Sequence, residues 1–482
     1  MGTTAKLSAS DRIQMLLDDN SFVEIGGLVT ARSTDFNLSS KNTPADGVIT
    51  GYGVIDGGLV YVYSQDASVL NGSMGEMHAK KICKIYELAM KVGAPVIGLV
   101  DCSGFRLQEA TDALQAFGEI YKKQVTASGL IPQITAIFGT CGGGLSLIPA
   151  LTDFTFMADN AKLFVNSPNA IPANDDTKCN SSAAVYQSEV TGNVDFTGTE
   201  EEVLLKMRQL VAMLPANCEE EACFEITDDM NRMCADIANC DGDTALALSM
   251  IADNHLFMEI KPGYAKEMVA GLMKLNGMTV GAVANRTKVY GAESEVVAEY
   301  EGALTADGCE KAAEFVNFCD AFNIPVVTLT DAVGFAAGLK EEKSVAKAAA
   351  KLTYAFAAAS VPKVNVMIGK AYGSAYNVMN SKALGADMVY AWESAEIGMM
   401  DAELAVKIIY ADEIEKAADK KSFIAEKTAE YQELQNGAVS AARRGYVDAM
   451  IAPESTRKYI IGALEMLYSK KEERPNKKHG TV

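Results

Sequence analysis

Apolar and polar positions along this chain change rhythm in an ordered way, and the same succession occurs twice. Each half opens on a β-rich stretch broken by turn residues, Gly51, Gly53 and Asp56-Gly57-Gly58 in the first and Asn276-Gly277 in the second. Helical periodicity then predicts helices over Glu76–Val92 and Cys309–Phe322. Short, mainly apolar runs follow, Pro95–Asp101 and Pro325–Asp331, each ending in aspartate. A second helix leads to another apolar strand, Ile131–Phe138 or Lys363–Ile368, and then to a loop of small residues that starts a further helix. Strands that alternate with helices and are mainly apolar predict an α/β fold built on parallel, buried strands. An Asn/Asp/Ser-rich join over 166–198 and a helix over Glu200–Leu214 precede a domain boundary expected near residue 240.

The two halves are related residue by residue. Pro95, Asp101, Gly104 and Phe105 match Pro325, Asp331, Gly334 and Phe335, and each pair lies 230 positions apart. The same offset joins Pro132 to Pro362, Gly139 to Gly369 and Gly143 to Gly373. Upstream, Asp19–Ile25 resembles Asp253–Ile260. A constant offset held over such a span implies a duplicated domain, 1–240 and 241–482.

Composition narrows the function without defining it. With 43 Lys+Arg against 63 Asp+Glu, the net charge of −20 excludes nucleic acid or an anionic membrane as the main partner. Neither a signal peptide nor a transmembrane run is expected, and the reading is a cytoplasmic protein without direct membrane insertion. Its ten cysteines then read as reduced, mostly buried thiols. Cys218, Cys223, Cys234 and Cys240 are too widely spaced for paired zinc knuckles, so no metal is expected. His78, His255 and His479 are the only histidines and do not occupy matched repeat positions. Each is read as structural, and no Ser/His/Asp set is evident.

The chemistry therefore points to the two small-residue loops, Gly139-Thr-Cys-Gly-Gly-Gly144 and Gly369-Lys-Ala-Tyr-Gly-Ser374. Neither has the pattern of a dinucleotide or Walker loop. Small residues between a strand and a helix let a ligand reach backbone N–H groups, which suits a developing oxyanion.

Several ordered motifs resemble one family. They include Tyr63-Ser-Gln-Asp66, Gly75-Glu-Met-His-Ala-Lys-Lys-Ile82, Lys91-Val-Gly-Ala-Pro-Val-Ile-Gly98, Arg106-Leu-Gln-Glu109, Pro149-Ala-Leu-Thr-Asp153, Lys370-Ala-Tyr-Gly373 and Ala383-Leu-Gly-Ala-Asp387. Together they resemble the carboxyltransferase subunit of biotin-dependent acyl-CoA carboxylases and decarboxylases, of the propionyl-CoA carboxylase beta and methylmalonyl-CoA decarboxylase alpha type. The resemblance implies two crotonase-like domains, each a superhelix of repeated ββα units. Acyl-CoA is expected on the first and carboxybiotin on the second, in a homo-oligomer, a hexamer built as a trimer of dimers. It also implies separate partner chains: a biotin carboxyl carrier protein, and a biotin carboxylase or membrane decarboxylase subunits.

Carried over by residue, Gly143 and Gly144 are expected to hold the thioester oxygen as an enolate forms, and Gly373 and Ser374 the ureido oxygen of biotin. Substrate contacts are expected from Ser103, Gly104, Arg106, Gly142, Tyr376 and Asn377. Biotin contacts are expected from Gly334, Phe335 and Ala375. Lys80, Lys81 and Lys84 either face CoA phosphates or form a solvated helix face. Departures occur at Val333-Gly-Phe-Ala-Ala-Gly338 and Lys343–Lys351 on the biotin side, and after Asn166 on the CoA side. Ala89-Met-Lys-Val92 imitates a biotinylation site, but it falls inside a predicted helix rather than on a hairpin. The expected reaction moves a carboxyl group between carboxybiotin and propionyl-CoA or another short acyl-CoA. Running in reverse, it is a decarboxylase or transcarboxylase. Alternatives of another class are a non-catalytic CoA-binding scaffold and a biotin-independent crotonase-type enzyme, which needs an acid/base glutamate beside Gly143 and Gly144.

Overall fold

A computed structural model describes residues 6–33, 36, 38, 41–172, 180–221, 223–240, 242–291 and 295–472. The chain divides into two units, Met1–Ala222 with Lys261–Tyr264, and Cys223–Ile260 with Ala265–Val482. The segment 223–240, expected in the first domain, belongs to the second. Its Cys234 and Ile237 lie in that unit's core, and Phe224 N–H donates to Gly277 O at 2.7 Å. Apolar burial, rather than the composition of the join, sets this boundary.

Each unit is built on an eight-stranded sheet, and the strand order is the same. In the first unit it runs Val23–Glu24, Val48–Ile55, Gly58–Gln65, Val96–Cys102, Gln133–Gly142, Phe154–Ala158, Phe196–Gly198. In the second it runs Phe257–Ile260, Met268–Leu275, Met278–Asn285, Val326–Ala332, Lys363–Tyr372, Met388–Trp392, Ala449–Ile451. The first three strands of each sheet pair antiparallel, and the rest pair in parallel. All seven positions of Val96–Cys102 are buried, as a parallel strand covered on both faces requires.

The helices follow from their sequences. Glu76–Val92 buries one face, including Ile82, Ile85, Tyr86 and Ala89, and stops at Gly93 in the left-handed conformation. It packs on Ala110–Ala127, as Ala306–Ala321 packs on Val345–Ala358 in the second unit. Lys91 is in the last turn of Glu76–Val92, not on a hairpin. The helix Glu200–Val211 begins with a capping box, Thr199 with Glu202, and three glutamates in its first turn.

Matched polar residues close the same gaps in both units. At the start of its strand Asp153 donates its N–H to Gln133 O at 2.9 Å, and its Oδ2 accepts from Gln133 N at 2.7 Å. Asp387 makes the same pair with Lys363 at 2.9 and 2.8 Å. Asp195 with Thr155, and Asp448 with Val389, repeat the arrangement one strand further out. Gln133 and Lys363 also cap the preceding helix. Gln133 Nε2 donates to Gln124 O at 3.1 Å, and Lys363 Nζ donates to Phe356 O at 2.7 Å and Ala359 O at 3.0 Å. Phe356 O and Ala359 O lie at a helix end whose last carbonyls lack intrahelical partners, whereas Gln124 O also accepts the Ser128 N–H at 3.0 Å.

The strands expected to end at Phe138 and Ile368 continue to Gly142 and Tyr372. Short strands, Lys162–Phe164 and Glu396–Gly398, pair with these extensions and give their backbone groups partners. Cys83, Cys102, Cys141, Cys234, Cys309 and Cys319 are buried free thiols, and Cys223 is exposed. Burial raises the Cys102 thiol to about 12. Among the described residues no group of three or more potential ligands is placed to hold a metal, and no helix is long and apolar enough to cross a membrane.

Lys363 is 1 % exposed, so its ammonium has no water to replace the two carbonyls. The variant Lys363→Met is expected to destabilise the fold by about 1–3 kcal/mol through orphaned carbonyls. Its urea midpoint, compared with wild type, checks this.

Candidate active site

In the first unit the strand Gln133–Gly142 runs directly into a turn, Gly143–Ser146. Gly143 has φ +63°, and a Cβ there would meet no atom within 4 Å. That side of the backbone is open, and only glycine takes this conformation without strain. As first residues of a helical turn, Gly143 and Gly144 present N–H groups with no intrahelical acceptor. The turn is fixed from behind. Ser146 Oγ donates to Gly143 O at 2.7 Å, and Tyr121 hydroxyl donates to Gly144 O at 2.5 Å. Phe105, whose ring centre lies 4.2 Å from that of Phe117 in a tilted contact, lies against Gly144. Phe164 covers Gly142 so closely that a Cβ would come within 2.6 Å of its ring.

Upstream, the end of Val96–Cys102 is locked by charge. Asp101 Oδ2 accepts from Lys6 at 2.7 Å and Arg12 at 3.2 Å. Arg12 also bonds Glu200 at 3.0 Å, and its guanidinium lies 4.6 Å from the centre of the Phe138 ring. The other carboxylate oxygen of Asp101 occupies the place where Gly139 would carry a side chain, 1.9 Å from an ideal Cβ.

Ser103 is exposed and Gly104 is buried; Gly104–Phe105 pairs in parallel with Ser73–Met74. Arg106 is fully buried. It donates to Asp46 Oδ1 at 2.6 Å, Glu109 Oε1 at 2.7 Å and Ser73 O at 2.9 Å. Its guanidinium therefore holds the 103–109 loop, and a direct contact with substrate is replaced by this internal role. Glu109 is committed as well, since its Oε2 accepts from Glu76 N–H at 2.6 Å. His78 belongs to the same cluster. Its N–H donates to Asp46 Oδ2 at 2.8 Å, and its ring bridges Asp46 O at 2.9 Å and Gln65 Nε2 at 3.2 Å. Burial, with Arg106 and Lys81 nearby, holds it neutral and lowers its pKa to about 3. Lys81 is also internal, bonded to Ala45 O at 2.9 Å and to Val48 O. Burial lowers its pKa to about 8. Of the three helix lysines, Lys80 pairs with Glu76 at 2.6 Å and Lys84 faces outward, whereas Lys81 is engaged inside the unit.

The second unit repeats the frame. The strand Lys363–Tyr372 leads into the helix Gly373–Val378, and Gly373 has φ +58°. Ser374 and Asn377 are exposed and Tyr376 is half-buried. Ala375 is 1 % exposed, so its methyl faces the core and only its backbone is open to a role in binding. Gly334–Phe335 pairs with Ala303–Leu304 in the same register as Gly104–Phe105 with Ser73–Met74, and the helix Gly373–Val378 touches it. Asp331 packs on Gly369 as Asp101 packs on Gly139, with Oδ1 2.4 Å from an ideal Cβ. Its Oδ1 accepts Lys370 N–H at 2.7 Å, and its N–H donates to Asn285 Oδ1 at 2.9 Å. Burial raises the pKa of Asp331 despite that bond. Sequence reasoning missed Tyr121, Phe164 and Asn285. Only Ser146, three residues after Gly143, had a local signal.

Two left-handed glycine turns, each at the end of a parallel strand, stand at matched places on one duplicated frame. The sequence matches the carboxyl transferase domain over residues 3–482. It is 39% identical to methylmalonyl-CoA decarboxylase subunit alpha of Propionigenium modestum, over 99% of this chain and 93% of the relative. It is 40% identical to the propionyl-CoA carboxylase carboxyltransferase subunit of Haloferax mediterranei, over 99% and 93%. The crystal structure of transcarboxylase 12S, with methylmalonyl-coenzyme A and methylmalonic acid bound, superimposes with a TM-score of 0.92 at 39% identity, over 99% of this chain and 92% of that one. The chain belongs to the carboxyl transferase family.

The buried cluster gives two predictions. Arg106→Met leaves Asp46 and Glu109 uncompensated and is expected to cost about 3–5 kcal/mol of stability, read by chemical denaturation. His78 has a lower pKa folded than unfolded, so the unfolded chain binds more protons between about 3 and 6.5. Stability therefore falls as pH drops below 6.5 towards 3. His78→Gln is expected to flatten that part of the pH–stability curve.

Proposed function

We propose that this protein transfers a carboxyl group between carboxybiotin and a short-chain acyl-CoA, with propionyl-CoA and methylmalonyl-CoA as the preferred pair. The observation that carries the reading is the matched pair of left-handed glycines, Gly143 and Gly373, each at a strand-to-helix turn. An acyl carboxylation needs negative charge held twice, on a thioester oxygen and on a ureido oxygen. Two N–H turns answer that need without a protein nucleophile.

In this reading Gly143 and Gly144 donate their N–H groups to the thioester oxygen as the enolate develops. Tyr121 and Ser146 keep the turn from rotating by binding its carbonyls. Gly142 gives up its side chain to Phe164, and the Phe105 ring beside Gly144 is an apolar wall that suits a short acyl group. Ser103 and Gly104 shape the same loop, positioned by the buried Arg106. In the second unit, Gly373 and Ser374 donate to the ureido oxygen. Gly334, open where a Cβ would stand, and Phe335 border it, and Tyr376 and Asn377 limit the length of the acyl chain. When bound, carboxybiotin supplies the carboxyl group and, after losing it, a ureido nitrogen that takes the α-proton. The open backbone at Gly373, where a Cβ would meet only Met399 O at 3.2 Å, fits that group. The partners are a separate biotin carrier protein and a biotin carboxylase or membrane decarboxylase subunits. Assembly as a hexamer is supported by the transcarboxylase 12S relative, whose structure describes hexamer assembly.

Incubation of the purified protein with methylmalonyl-CoA or malonyl-CoA and free biotin, with loss of the acyl-CoA carboxyl followed, tests this. Biotin-dependent turnover is expected, faster with methylmalonyl-CoA. No biotin-dependent turnover with either would overturn the reading. Gly143→Pro removes one N–H and, because proline is fixed at a negative φ where Gly143 stands at +63°, also displaces the turn; kcat is expected to fall by at least about 10²–10³, and full activity in that variant would mean the enolate is held elsewhere.

A further inference from the structure

The two glycine turns share a frame, yet the residue before each glycine is braced in opposite ways. In the first unit position 142 is glycine and its register partner on the outer strand is Phe164. In the second unit position 372 is tyrosine and its register partner is Gly398. The large side chain has moved from the outer strand to the inner one. Two positions along the outer strand the charge is also reversed. Lys162 pairs with Thr140 in the first unit, and Glu396 pairs with Lys370 in the second.

This exchange gives the second turn a polar brace. Tyr372 is 3 % exposed, and its hydroxyl donates to Glu396 Oε2. Gln432 Nε2 donates to Glu396 Oε1 at 3.0 Å. Glu396 also bridges Gly437 through the backbone. Gln432 opens a π-helical turn, Gln432–Asn436, and such turns are frequent at functional sites. Its last residue, Asn436, is fully buried and packs over Gly398. Asn436 Nδ2 holds Met400 O at 2.8 Å. The intervening Met399 O is the atom that faces Gly373. One π-turn thus grips both the outer strand and the carbonyl loop behind the second oxyanion turn. Burial, with Glu396, Asp401 and Asp331 nearby, raises the Tyr372 phenol and keeps it a donor.

We propose that Glu396 and Tyr372 are positioning residues for the Gly373–Ser374 N–H pair, a carboxylate brace that the first unit replaces by the Phe164–Gly142 contact. The proposal rests on the biotin-side reading of the Gly373 turn. Glu396 touches no reacting atom in this role. It acts by fixing the strand end from which Gly373 turns.

The test uses the whole chain and four proteins: wild type, E396A, E396Q and Y372F. Hydrogen–deuterium exchange over the 370–376 segment reports the brace without any turnover. Exchange there is expected to rise in E396A and in Y372F and to stay near wild type in E396Q, whose amide oxygen still accepts from Tyr372. In methylmalonyl-CoA decarboxylation with free biotin, E396A and Y372F are expected to lose kcat roughly tenfold to a hundredfold, the size of one hydrogen bond to a charged group. KM for methylmalonyl-CoA is expected to stay the same, and E396Q to recover most of kcat. Unchanged exchange in E396A overturns the proposal, whatever the activity. A change in KM for methylmalonyl-CoA alone, or E396Q as impaired as E396A, overturns it too. A wild type without biotin-dependent turnover but with the expected exchange pattern refutes the functional reading and leaves the brace supported.

Discussion

The contact on which the rest of each unit depends is that of a strand-end carboxylate against a glycine one strand over. Asp101 fills the side-chain space of Gly139, and Asp331 fills that of Gly369. Beside both aspartates the parallel register slips, between Val100 and Cys102 and between Thr330 and Ala332. The slip lets the inner strand run on past its neighbour, pair with a short outer strand and enter the turn with a left-handed glycine. Any side chain at Gly139 or Gly369 would collide with the carboxylate and move the strand that carries the N–H groups. A buried carboxylate must also be compensated. Lys6 and Arg12 do this for Asp101, whereas the Asp331 carboxylate takes the Lys370 N–H, and Asn285 holds the Asp331 backbone instead.

On that common frame the units have diverged in what surrounds the turn. The first turn is lined by rings, Phe105 against Gly144 and Phe164 against Gly142. The second is backed by Tyr372, Glu396 and a π-turn. Duplication supplied the same strand-to-glycine turn twice. Exchange of large and small residues between inner and outer strands then made the two turns unlike in polarity.

Much of this was legible in the sequence because it depends on local chemistry. The 230-residue offset, the buried strands ending in aspartate and the glycine turns are all features of residue type and spacing. The helix Glu76–Val92 could be read to its last residue, because its apolar face ends at Gly93. Arg106 and Lys81 could not be read in this way. A basic residue beside a candidate site looks the same whether it faces a phosphate or a buried Asp46. Only burial decides, and it placed both cations inside. The domain boundary was misplaced for a similar reason, since Cys234 and Ile237 join a core that lies further along the chain.

The sequence by itself determined the class of fold, the duplication and the two glycine turns, because periodicity and glycine act through the chain's own covalent chemistry. The tertiary structure alone decided which charges are free and which are internal. It also decided that Tyr121 should clamp Gly144 and that Tyr372 should lean on Glu396. Those partners lie 23 and 24 residues apart, and nothing local pairs them. Tyr121 reaches Gly144 because its helix packs over the turn, and Tyr372 reaches Glu396 because parallel strands bring them side by side; the energy of a buried hydrogen bond is fixed only there.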